Sequence, residues 1–214
     1  IQTKNGKIKT PVFMPVGTLG SVKAVFPSSL LKLKIDIILA NTYHLMLRPG
    51  EDLIKKMGGL HNFINWKKPI LTDSGGFQVW SLSKLRKISE DGINFKSHLD
   101  GKKYELTPES SMSIQEKLNS DISMVLDECT EHPTTHQRAK ESMELSIRWA
   151  KRCKNSFNKR KGYGLFGIIQ GGMFNDLRKK CSEELNKLDF EGYAIGGLSV
   201  GENHCQMLEI IENT

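Results

Sequence analysis

Short apolar runs alternate along this chain with longer stretches in which apolar residues return every three or four positions. Six runs stand out, at residues 12–16, 35–40, 69–72, 122–126, 165–169 and 193–195. Runs of this length fit strands buried on both faces. Strands separated by helical stretches predict βα units wound about a parallel sheet. Between the fourth and fifth runs, Ala139, Met143, Ile147 and Ala150 line up on one side of a helix, the side that packs on the sheet. Thr107-Pro108-Glu109 is a helix opening: threonine caps free amides, proline fits the first turn and glutamate suits its positive end. That helix is expected to reach about Leu118.

One stretch departs from the βα rhythm. Ile93, Phe95 and Ser97 alternate with Asn94, Lys96 and His98, and Asp100-Gly101 precedes Tyr104 and Leu106. The pattern predicts an inserted β-hairpin over residues 93–106 with a tight Asp-Gly turn.

The residue immediately after each run carries more information than the run itself. Asn41 comes after the second, Asp73 after the third, Asp127 after the fourth, Gln170 after the fifth and Gly196-Gly197 after the sixth. Parallel strands deliver such residues to one rim, the C-terminal face where catalytic groups collect in a TIM (β/α)8 barrel. The expected fold class is therefore α/β, a TIM barrel incomplete in this chain, with residues 1–214 forming a single partial barrel domain. A barrel needs eight strands and six runs are found, so either two strands carry no such run or, as the abrupt C-terminus favours, the closing strands are expected beyond residue 214. A start at Ile1 in place of Met and an end inside a helical pattern at Thr214 also suggest a piece of a longer protein.

Composition changes this picture little. The 214 residues carry a formal net charge of +7, which suits a polyanionic partner, although clusters such as Lys151, Arg152 and Lys154 equally fit solvated helix faces. No apolar run approaches the length of a bilayer span and no leader opens the chain, so a soluble, cytoplasmic protein without membrane contact is expected. Cys129, Cys153, Cys181 and Cys205 show no metal-site or disulfide spacing and are expected as reduced thiols. His132 and His136 are four apart, but Pro133 between them argues for a loop or helix start, and no metal ligand is assigned within the chain.

Two carboxylates, a primary amide and a glycine-rich backbone make an acceptor-rich pocket that suits phosphate poorly and guanine well. Asp127 would accept from N1–H and the exocyclic amine, Gln170 and the Gly197 N–H would serve O6, and Phe77 would stack on the ring. Taken singly, each residue has a duller reading: helix cap for Asp73 or Asp127, loop bridge for Gln170, turn for Gly75, Gly76, Gly171, Gly172, Gly196 and Gly197, core for Phe77, inert buried thiol for Cys129. Their joint arrival at successive strand ends favours function.

The segments TPVFMPVGTLGSVKA (10–24), ILANTYHLMLRPG (38–50), LTDSGGFQVWSLSKLRKISEDG (71–92), LDECTEHP (126–133), FGIIQGG (166–172) and GYAIGGLSVGE (192–202) resemble those of the bacterial-type tRNA-guanine transglycosylases, the queuine/preQ1 tRNA-ribosyltransferases. The resemblance implies a TIM barrel that exchanges the wobble guanine of tRNAs with a GUN anticodon for a 7-substituted deazaguanine by double displacement, a step in queuosine biosynthesis. It makes Asp73 the proton acceptor, and Asp73, Ser74, Gly75, Gly76, Phe77, Asp127, Cys129, Gln170, Gly196, Gly197 and Leu198 the substrate-binding set. Cys129 and Val200 resemble the bacterial form, in which they narrow the pocket and favour preQ1, 7-aminomethyl-7-deazaguanine. The resemblance further implies a homodimer, a zinc ion held by three cysteines and a histidine, and a nucleophilic aspartate, the last two placed beyond residue 214. The alternatives are a noncatalytic tRNA- or base-binding accessory subunit of the same family and a TIM-barrel enzyme of an unrelated amide-bearing metabolite.

Overall fold

A computed structural model describes residues 1–82 and 85–214. In chain order its strands are β1 (Gln2–Thr3), β2 (Gly6–Lys7), β3 (Val16–Gly17), β4 (Ile38–Ala40), β5 (Ile70–Thr72), β6 (Arg86–Ile88), β7 (Ile93–Lys96), β8 (Lys103–Leu106), β9 (Ile122–Met124), β10 (Gly164–Ile169) and β11 (Gly192–Ile195). Its helices are α1 (Pro27–Lys32), α2 (Thr42–Leu47), α3 (Glu51–Lys56), α4 (Leu60–Phe63), α5 (Gly76–Leu82), α6 (Pro108–Leu118), α7 (His136–Ser156), α8 (Asn175–Asn186) and α9 (His204–Asn213).

Six strands form one parallel sheet in the order β3, β4, β5, β9, β10, β11. Spatial order therefore follows chain order, the winding of a partial (β/α) barrel and not of a doubly wound sheet. Among the described residues the sheet stays open, with β3 and β11 at its edges.

The pleat sends side chains to two cores. Ile38, Ala40, Ile70, Leu165 and Ile169 face the helices and pack with Leu118, Met143 and Trp149. On the other face Leu71, Ile122 and Met124 gather with Ile8, Ile37, Leu39, Phe166 and Ile168 in a second cluster, part of which lines the cavity described below. Helix α7 buries Ala139, Met143 and Ala150 with Ile147 partly covered, the side set by their spacing. Helix α6 opens on Thr107, which accepts from the Ser110 N–H while the Ser110 hydroxyl accepts from the Thr107 N–H. None of the described helices is long and apolar enough to cross a membrane.

Three expectations change. The first run forms a strand only at Val16–Gly17, because Pro11 and Pro15 have no N–H for a ladder. Within that run Phe13 is exposed, while Val12 and Met14 rest on the inner core. Strands β7 and β8 pair antiparallel from Ile93 opposite Leu106 to Lys96 opposite Lys103, but the connection is a wider loop over 97–102 in place of a tight Asp-Gly turn. The Ser97 hydroxyl accepts from the Leu99 N–H and holds that loop, which Gly101 closes at φ +70° with its N–H on the Ser97 carbonyl. A third strand, β6, joins this sheet beside β7; its mostly polar sequence gave no strand signal.

Candidate active site

The C-terminal ends of β5, β9, β10 and β11 open onto a cavity of about 390 Å³. Asp73, Ser74, Phe77, Asp127, Cys129, Gln170, Gly196, Gly197 and Leu198 all line it. Parallel register delivers them there, since each follows its strand by a few residues.

Asp73 leaves β5 and is gripped from the neighbouring strand end. Asn41 donates from Nδ2 to its Oδ2 at 2.5 Å, and the Thr42 and Gly75 N–H groups donate to Oδ1 at 2.8 and 3.2 Å. Burial pushes its carboxyl above the usual carboxylate range despite these donors and that of Gln78. Asp127, after β9, is only 9% exposed. Gln170 donates from Nε2 to its Oδ2 at 2.6 Å, and the Ser74 hydroxyl donates to Oδ1 at 3.4 Å. Burial pushes the Asp127 carboxyl up to about 6, and the nearby Asp73 charge pushes in the same direction. Neutral pH thus leaves a carboxylate that gains much from new hydrogen-bond donors.

Gly75 and Gly76 do not line the cavity; they set the backbone behind Asp73 and Asp127. Gly75 turns at φ +87°, and its N–H reaches Asp73. A Cβ on Gly76 would come within 2.8 Å of the Asp127 carbonyl oxygen, so only glycine lets the start of α5 press against the strand end carrying Asp127. Phe77 is 42% exposed at the cavity, its ring tilted against Trp80 with centroids 5.5 Å apart, and is not a core residue. Cys129 is buried, and that burial pushes its thiol up to about 12, the environment of an inert side chain. Val200, expected to narrow the cavity, lies outside its lining. The chain reverses at Ser199, φ +60°, and Glu202 takes the N–H groups of Ser199 and Val200.

Sequence reasoning missed the groups behind this lining. Thr42 opens α2 and Gln78 lies within α5, and their contacts with Asp73 arise from tertiary approach. Arg178, fully buried on α8, donates to the carbonyls of Gly172 and Gly196 at 2.7 and 2.8 Å. A signal was present: Phe174, Arg178, Cys181 and Leu185 fall on one helical face, so the arginine occupies an apolar position. His132 and His136 do not share a helix face; His136 opens α7 and pairs with Asp176 at 2.8 Å. Among the described residues no three His, Cys, Asp or Glu side chains form a cluster able to hold a metal ion, so these residues do not fit a zinc site.

The fold and the cavity define an α/β protein of the parallel, barrel-wound class with a two-carboxylate pocket at the strand C-termini. The chain belongs to the queuine tRNA-ribosyltransferase family, whose sequence profile matches residues 1–214. It is 57% identical over 212 residues to the queuine tRNA-ribosyltransferase of Rickettsia felis, a match covering 99% of this chain and 59% of that protein. The queuine tRNA-ribosyltransferases of Rickettsia akari and Rickettsia bellii match with the same identity and the same coverage. The chain therefore spans about 59% of the length of these relatives.

Proposed function

We propose that the protein containing this chain is a tRNA-guanine transglycosylase that exchanges the wobble guanine of tRNAs with a GUN anticodon for preQ1. The observation that carries the reading is the buried, hydrogen-bonded Asp127 facing the same cavity as Asp73, Gln170 and Phe77. A guanine-like base puts N1–H and its exocyclic amine on Asp127, where they replace lost solvent for a costly carboxylate. One N–H of the Gln170 amide already holds Asp127, leaving the second for O6 beside the Gly197 N–H. Phe77 covers the ring face. Asp73, its proton affinity raised by burial, gives a proton to the leaving base and then takes one from the incoming base, ending the exchange as it began.

The attack on the ribose carbon is assigned to an aspartate C-terminal to residue 214, together with the closing barrel strands, the zinc site and the homodimer contacts. Cys129 crowds the edge where the 7-substituent lies, which favours the small aminomethyl group. The base leaves the stack of a single-stranded anticodon loop to reach the rim, at little cost, and the net positive charge favours the RNA backbone. The test is incorporation of radiolabelled guanine into such a tRNA by the full-length protein. Asp73→Ala is expected to abolish incorporation; binding of tRNA without any exchange by the unaltered protein would favour the accessory-subunit reading.

A further inference from the structure

Arg178 has no solvent exposure although Lys179 and Lys180 beside it are exposed. Its guanidinium joins two rim loops, the one after β10 through the Gly172 carbonyl and the one after β11 through the Gly196 carbonyl. Nη1 is buried without a hydrogen-bond partner. Burying a cation is costly, so a purely structural helix position has no need of one.

The Gly196 carbonyl and the Gly197 N–H belong to one trans peptide, so they point in opposite directions. Holding the carbonyl on one side therefore fixes the N–H on the other. This peptide has no side chain of its own to hold it: both its residues are glycine, and Gly197 adopts φ +66°. The preceding N–H, that of Gly196, is already committed to the Ile169 carbonyl at 2.9 Å as the last rung of the sheet. The Gln170 side chain packs against the same two glycines, within 2.8 Å of where their Cβ atoms would stand.

We propose that Arg178 is a positioning residue for base selection: by gripping the Gly196 carbonyl it aims the Gly197 N–H into the pocket, toward the 6-oxygen of the bound purine-type base. This deepens the base-exchange reading and rests on it. Arginine suits the task because its planar fork spans two carbonyls at fixed angles, whereas a lysine ammonium is a point donor on a shorter reach.

The test uses the full-length protein with Arg178→Lys and Arg178→Gln, the second removing the buried charge while keeping an N–H donor. Two bases are titrated, guanine and 2-aminopurine, which lacks the 6-oxygen and with it N1–H, so each variant is compared with the unaltered protein for the same base. Loss of one aimed hydrogen bond is expected to weaken guanine about three- to tenfold while leaving 2-aminopurine unchanged. In steady state KM for guanine rises, and KM for tRNA and kcat at saturating guanine hold. Equal weakening of both bases, unchanged discrimination in both variants, or failure of both variants to fold would overturn the proposal. Unaltered protein that binds no guanine would instead defeat the base-exchange reading, so the two failures are distinguishable.

Discussion

Lowering the pH from 7 to 5 is expected to switch off Asp127, the group to which the proposed base recognition is assigned. With its carboxyl pushed up to about 6, Asp127 is about 90% ionised at pH 7 and about 10% ionised at pH 5. Only the ionised form accepts from both N1–H and the exocyclic amine, so apparent affinity scales with that fraction and falls about tenfold, or about 1.4 kcal/mol. The base-free protein responds with the opposite sign. A carboxyl whose folded pKa is raised holds more protons folded than unfolded between about pH 4 and 6, so its contribution is full below that window and is lost as pH rises through it, by about 3 kcal/mol. The assay is equilibrium dialysis of labelled guanine at pH 5, 6 and 7, with urea unfolding of the base-free protein at each pH. Asp127→Asn, which turns an acceptor toward a donor, is expected to bind weakly and with little pH dependence. Flat affinity in the unaltered protein, or the full tenfold slope surviving in Asp127→Asn, would refute the assignment.

Three other outcomes follow from the packing. Gly76→Ala places a methyl 2.8 Å from the Asp127 carbonyl oxygen, so backbone must shift; guanine affinity is expected to fall about tenfold or more, with a stability loss of about 1–3 kcal/mol, both measured by titration and thermal melting. Asp121, at the opposite end of the sheet, accepts from the Asn5 and Ile70 N–H groups at 2.9 Å and lies 3.0 Å from His61; Asp121→Ala is expected to cost about 3–5 kcal/mol in urea unfolding while folded protein keeps its guanine affinity. Of the four cysteines only Cys205 is exposed, and burial pushes Cys129 and Cys153 up to about 12 and Cys181 to about 11; a thiol reagent at neutral pH is expected to modify Cys205 rapidly and the others only after denaturation.

The parallel sheet was legible in the sequence because buried strands must be apolar on both faces, and all six runs contribute a strand to it. The extent of the first strand was not, since proline breaks a ladder that apolar content alone suggests. Strand β6 was hidden for the converse reason: an added outer strand can be polar and still be held by its backbone. The lining of the pocket was legible because strand ends converge in any parallel barrel winding, whatever the helices between them do. The supporting groups were not. Asn41 was noticed only as a strand-end residue, and its bond to Asp73 joins positions 32 apart. Arg178 lies beside Lys179 and Lys180, and only its position on the apolar face separates it from these lysine neighbours.

A crystal structure of the full-length protein with guanine bound tests the central claim most directly. The base is expected against Phe77, with N1 and the exocyclic amine within hydrogen-bond distance of Asp127 and O6 facing Gln170 and Gly197. Guanine bound elsewhere, or lying in the cavity with its N1 edge turned away from Asp127, would contradict the account.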